Sequence, residues 1–268
     1  MNPVILIPFV IFSYFSNAQT IATHPFIPDS CNLKDAAGLK KGYWIEYLGL
    51  KGSRAYREYR GYYQNDKKSQ TWIEYQGENN MLNKVEEFKD GKKDGLAIEF
   101  ESGAIKKEEW WKNNVLNGLS RTYHIGTRIS VEANYVNGQL HGPRNSWYQN
   151  GKKQEETLYA NGKREGNTVW YFEDGKKSVE YAYLNGNRNG PMKTFHKAEV
   201  LASEGNYKDN ELDGYFKEYY PNGKLKLEGN YTLGKKDGIW KEYDENGILI
   251  KIAKFKDGAE GKPMSIKR

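Results

Sequence analysis

The sequence predicts an all-β repeat fold, an elongated single antiparallel twisted sheet of about nine stacked β-hairpins. Three observations carry that expectation. Glycines recur at a 24-residue step, two aromatic columns recur with them without a gap, and Asn-Gly or Asp-Gly pairs separate the columns. Self-similarity at a fixed period marks an array whose units are each too small to bury a core alone.

The landmark glycines are Gly42, Gly95, Gly118, Gly142, Gly166, Gly190, Gly214, Gly238 and Gly261. From Gly118 to Gly238 every step is 24 residues, and the flanking steps are 23. The interval from Gly42 to Gly95 is 53, two units with small insertions, and its middle landmark is Gln70. Five residues after each landmark lies an aromatic: Tyr47, Tyr75, Phe100, Tyr123, Trp147, Tyr171, Phe195, Tyr219 and Tyr243. A second column follows near position 17: Tyr63, Phe88, Trp111, Tyr135, Tyr159, Tyr183, Tyr207, Tyr231 and Phe255. Chance does not fill two such columns in a chain that is 14% aromatic.

Turn residues divide each unit. Asn150-Gly151, Asp174-Gly175, Asn222-Gly223 and Asn246-Gly247 lie between the columns and predict two-residue hairpin turns. A second set follows the second aromatic: Asp90-Gly91, Asn137-Gly138, Asn161-Gly162, Asn185-Gly186 and Asp257-Gly258. Each then leads within a few residues into the next landmark, which returns the chain into a neighbouring antiparallel strand. The expectation is a meander of about 18 strands, two per unit. Glycine frequency and the lack of apolar spacing at three and four exclude helices. The seventh unit has Lys197-Ala198-Glu199 where a turn belongs, so a longer or distorted hairpin is expected there.

Gly238-Ile239-Trp240-Lys241-Glu242-Tyr243 with Asn246-Gly247, and Glu156-Thr157-Leu158-Tyr159-Ala160-Asn161-Gly162-Lys163, resemble the variant MORN repeat. The resemblance covers residues 42 to 261. It implies stacked hairpins in a twisted antiparallel sheet, and an antitoxin-like role is attached to bacterial members of that family.

Physically, each hairpin alone is marginal in water, so neighbour stacking must supply stability. The two aromatic columns are expected to meet ring against ring along one face, as structure first and as candidate binding surface second. A third column, Glu108, Glu132, Glu156, Glu180, Glu204 and Glu228, precedes the second aromatic by three residues. It reads as a cross-strand ladder with lysines, an acidic rail for a cationic partner being the alternative.

Composition narrows the function. The chain has 268 residues, with 21 Tyr, 10 Phe and 7 Trp, too many rings for a disordered polymer. The 41 Lys+Arg and 35 Asp+Glu are interleaved, giving +6 overall without a basic block, so no nucleic-acid partner is expected. The one cysteine, Cys31, permits no internal disulfide. Residues 1–18 lack charge, run apolar from Val4 to Phe15 and end Ser16-Asn17-Ala18, a signal peptide with cleavage before Gln19. The expected organisation is therefore a signal peptide over 1–18, an N-terminal capping segment over 19–41, nine repeats over 42–261 and a basic tail over 262–268.

Catalytic signals are missing. His24, His124, His141 and His196 show no metal-ligand spacing, no glycine loop joins a strand to a helix, and carboxylate pairs recur with the scaffold. No enzyme activity, cofactor or metal is expected. If any unit breaks the pattern usefully it is the seventh, with His196 and Glu199 at its turn. The function expected is a non-enzymatic binding scaffold, secreted or in the periplasm or outer envelope, with a protein partner. An antitoxin or immunity role and a glycan- or lipid-binding envelope role are the alternatives.

Overall fold

The computed structural model describes residues 30–51, 53–77 and 79–264. The signal peptide, residues 19–29 of the capping segment and 265–268 of the tail lie outside the described residues. The strands are β1 Leu33–Lys34, β2 Lys40–Leu48, β3 Arg57–Gln64, β4 Lys67–Gln76, β5 Met81–Lys89, β6 Lys92–Glu101 and β7 Ala104–Lys112. They continue with β8 Val115–Tyr123, β9 Ile129–Val136, β10 Gln139–Trp147, β11 Lys153–Ala160, β12 Lys163–Tyr171, β13 Lys177–Leu184 and β14 Asn187–Phe195. The last are β15 Leu201–Lys208, β16 Glu211–Leu212, β17 Gly214–Tyr219, β18 Leu225–Thr232, β19 Lys235–Tyr243, β20 Leu249–Lys256 and β21 Ala259–Pro263. Among the described residues there is no helix, and the fold is all-β and antiparallel. The 18 repeat strands become 21 because β1 and β21 flank the array and the eighth unit's first strand is split into β16 and β17.

Two compact units are present. One holds the residues up to Lys93 with Phe100–Gly103, the other Asp94–Glu99 and the residues from Ala104 onward. In the first, β1 lies along β2, with Leu33 opposite Lys41, and Asn32 Oδ1 accepts from Ile45 N at 2.8 Å. In the second, β21 pairs with β20 and runs through Lys262 and Pro263, so strand pairing enters the segment read as tail.

The two turn sets differ from expectation. Between the columns, Gly151 N donates to Tyr148 O and Tyr148 N to Lys152 O, both at 2.9 Å. This is a three-residue loop, a type I turn followed by a left-handed residue, Gly151 at φ 86°. The two-residue turns are those of the second set. Asn161 (φ 49°) and Gly162 (φ 79°) are both left-handed, and Ala160 faces Lys163 directly. The tightest hairpins therefore straddle the boundaries drawn between units. The seventh unit proves regular: His196 N donates to Val200 O and Glu199 N to His196 O, with Glu199 (φ 64°) in the place of glycine.

The landmark residues are not turn residues. Glu156 faces Val169 while Leu158 faces Glu165, so one residue of β11 opposes three of β12. Gly166 lies in that bulge at φ 71°, and Gln70, the one non-glycine landmark among the nine units, takes φ 61°. A bulge bends its strand and increases the twist. The left-handed backbone is what selects glycine at this position.

Buried side chains line up two residues beyond the landmark, at Trp72, Ser120, Thr168, Met192 and Trp240. They face a complementary column across the neighbouring strand: Ser120 opposite Ala133, Thr168 opposite Tyr181, Met192 opposite Gly205 and Trp240 opposite Ala253. Volume is exchanged across the pair. Trp240, 2% exposed, also lies over Gly229, where an added Cβ would come 2.3 Å from the indole. Its Nε1 donates to Asn230 O at 3.1 Å, and Tyr231 meets it edge-on at 5.0 Å. In mid-array the column turns polar, and Thr157 and Thr168 satisfy each other at 2.6 Å between hydroxyls. Glu155 lies between Arg144 and Arg164.

Two outcomes are expected in denaturant or thermal unfolding. Gly166→Ala costs about 1 kcal/mol and Gln70→Gly stabilises by about 0.5–1 kcal/mol, because an L-residue in the left-handed region loses about 1–2 kcal/mol and glycine's extra entropy returns only part of it. Trp240→Ala costs about 3–5 kcal/mol, as a large buried ring does.

Candidate functional site

Strand alternation puts the two aromatic columns on opposite faces. The second column shares the core face: Tyr63 meets Trp72 at 5.0 Å, Tyr231 meets Phe216 at 5.4 Å, and Phe255 meets Trp240 at 6.2 Å between ring centroids. The expectation of rings meeting along one face within the columns is thus corrected, since contacts run from the second column to the core column. Cations cover these rings. Lys236 Nζ lies 4.2 Å from the centroid of Trp240, and the Arg188 guanidinium lies 4.2 Å from that of Tyr207. Tyr135, Tyr159 and Tyr183 hold the equivalent half-buried places.

The first column lies on the other face with the glutamates. Tyr171 donates to Glu156 at 2.6 Å, Tyr219 to Glu204 at 2.8 Å, Tyr243 to Glu228 at 2.8 Å, and Tyr123 to Glu108. Each pair is 15 residues apart. Where the column has Trp147 or Phe195 there is no hydroxyl to donate, and a cation takes the part: Arg121 binds Glu132 at 2.7 Å and Lys177 binds Glu180 at 2.6 Å. The rail is therefore fully engaged, with tyrosine rather than lysine as its main partner. The constant spacing of 15 was the signal in the sequence that could have found it. Exposure varies: Tyr47 is 60% exposed, Tyr75 only 7%, and Phe100 and the remaining members are half-buried.

His196 and Glu199 take regular places in the seventh unit's loop. His196 Nε2 donates to Tyr219 O at 3.0 Å, as His124 Nε2 does to Trp147 O and as the hydroxyls of Tyr148 and Tyr220 do to Tyr171 O and Tyr243 O. Histidine and tyrosine serve alike as a peg from one loop to the strand end of the next unit. Among the described residues no three His, Cys, Asp or Glu side chains converge as metal ligands.

The face bearing the glutamates also carries exposed apolar side chains, Trp110, Leu158, Tyr215 and Ile239. Trp110 leans over Gly118, with its Cβ 2.9 Å from where a glycine Cβ would lie, and Leu158 takes the same place over Gly166. Its chemistry is a repeating mixture of ring, hydroxyl, carboxylate and ammonium.

Ionisation on this face is coupled to folding. Burial, then the hydrogen bond to Glu204, pushes the Tyr219 phenol up to about 12. Burial and the Glu228 bond do the same to Tyr243, also to about 12. Burial raises the Glu228 carboxyl, but the bonds from Tyr215, Tyr243 and Lys241 outweigh it and hold it below its usual range. The unfolded phenols ionise near pH ~10. Stability from these tyrosines is therefore complete below that pH and is lost as pH rises toward the folded value. Melting temperature is expected to fall from about pH 10 to 12, and the Tyr219→Phe, Tyr243→Phe double variant to show a shallower slope over that window.

Residues 140–161, 188–209, 212–232 and 236–257 match a family model described as the MORN repeat variant. No curated protein matches the chain. The matched segments hold the bulge glycines Gly142, Gly190, Gly214 and Gly238 and the second-column tyrosines or phenylalanine that pack with the core column. These four segments are similar to the MORN repeat variant, and repeats of that kind suggest a repeat-based binding scaffold.

Proposed function

We propose that the chain is a non-enzymatic, extracytoplasmic scaffold that binds a protein partner through the face bearing the tyrosine–glutamate ladder. The observation that carries this reading is the composition of that face. Trp110, Leu158, Tyr215 and Ile239 stand exposed among hydroxyls and paired charges. Protein interfaces favour such a mixture, with aromatic anchors inside a polar rim. A repeating surface also suits an extended partner. The export half of the reading rests on the uncharged, apolar start of the sequence.

Immobilised protein exposed to native envelope and extracellular fractions should retain one saturable protein partner. Leu158→Glu and Trp110→Glu should abolish retention without lowering the melting temperature. Retention of glycan or lipid in place of protein would overturn the reading, and a toxin as the retained protein would sharpen it to an antitoxin. N-terminal sequencing of exported material should begin at Gln19.

A further inference from the structure

The glutamate column is interrupted in three units, by Val85 in the second, by Ile252 in the ninth and, with a charge of opposite sign, in the first. At the position of the glutamate column the first unit carries Arg60. Around it the register forms a grid across β2, β3 and β4. Tyr43 faces Tyr62, Ile45 faces Arg60 and then Ile73, and Tyr47 faces Glu58 and then Tyr75. Alternation puts all of these on one face. The insertion between β2 and β3 adds Tyr56, whose ring stacks on Tyr47 at 6.0 Å and 21°. Tyr43 and Tyr62 meet edge-on at 5.3 Å. The Arg60 guanidinium lies 4.9 Å from the Tyr75 ring centroid and is paired with Glu58. Among the described residues no other unit gathers five tyrosines about an ion pair.

We propose that this face of the first two repeats, bearing Tyr43, Tyr47, Tyr62 and the Glu58–Arg60 pair, is a binding site for a short neutral oligosaccharide. It is independent of the protein-partner reading, because Tyr62, Glu58 and Arg60 have no counterpart at the same positions of the other repeats.

Three features select this ligand. The ring faces are accessible where they would be needed, Tyr47 being 60% and Tyr62 37% exposed. A sugar presents apolar C–H faces to such rings and hydroxyls at its edge, so rings and planar polar groups are wanted together. Glu58 neutralises Arg60, so the site offers no net charge to an anion or a cation. The Tyr75 hydroxyl is buried without a hydrogen-bond partner although its residue is only 7% exposed. Such a group costs free energy until something pairs with it, and a small shift of the ring on binding would bring it to a ligand hydroxyl.

The test is calorimetric titration of the purified chain with two neutral probes of β-1,4 linkage, cellotetraose and chitotetraose. Saturable binding of at least one is expected. Tyr47→Ala and Tyr62→Ala should each weaken it by about tenfold. Each also removes one ring contact, with Tyr56 or Tyr43, so a small fall in melting temperature is expected and binding is compared where both variants are fully folded. Tyr75→Phe removes only the unpaired hydroxyl and should weaken binding several-fold while raising the melting temperature of the free protein slightly. Tyr215→Ala, at the position of Tyr43 in the eighth unit, should leave binding intact. No saturable binding of either probe would overturn the assignment, as would equal weakening by Tyr215→Ala.

Discussion

The constraint on which the structure depends is the bulge that recurs at the landmark residues Gln70, Gly118, Gly142, Gly166, Gly190 and Gly238. Antiparallel pairing alone would carry a strand straight past its neighbour, with side chains alternating between equally exposed faces. Opposing three residues of β12 to one of β11 breaks that run and bends the strand. The side chain two residues further on then falls within a strip that is excluded from water, Thr168 being fully buried and Trp240 nearly so. The backbone at the bulge must be left-handed, and that single stereochemical demand recurs as glycine through the array.

Once the strip exists, its filling is free to vary. Trp44 and Trp72 occupy it in the first units, Phe216 and Trp240 in the last, and Ser120, Arg144 and Thr168 between them. What is conserved along the array is the fit between facing columns. A large ring is matched by Gly61, Gly229 or Ala253, and a threonine by Tyr181 or another threonine. Polar members are tolerated because their hydrogen bonds are made inside the strip, as between Thr157 and Thr168. Cations over the second aromatic column close it from above, their stems apolar and their charge against the ring faces.

The opposite face has a different logic. Its carboxylates are spent on tyrosine hydroxyls and on Arg or Lys where a hydroxyl is missing. A regular, internally satisfied surface of this kind is a scaffold on which departures become informative. His196, which the repeat pattern marked as irregular, makes the same bond as Tyr220 and is thereby regular in role. Arg60 is the one cation among the departures from the glutamate column, and five tyrosines lie around it and Glu58.

The sequence by itself determined the period, the strand class and the antiparallel meander. Those depend on local stereochemistry: left-handed turns need Asn, Asp or Gly, and alternation follows from the strand repeat of two. It also determined that rings recur at two fixed offsets. Only the tertiary structure decided that the two columns lie on opposite faces and that the core column lies at neither offset. Trp, Met, Thr and Ser at one position share no composition, only a register, and register is set by bulges that add residues to one strand. For the same reason the turns exchanged roles. Asn150-Gly151 and Asn161-Gly162 are the same dipeptide, yet the strand ends around them make the first a three-residue loop and the second a two-residue turn. The tyrosine–glutamate pairing stood in the sequence as a constant spacing of 15, but its meaning required knowing which strands meet.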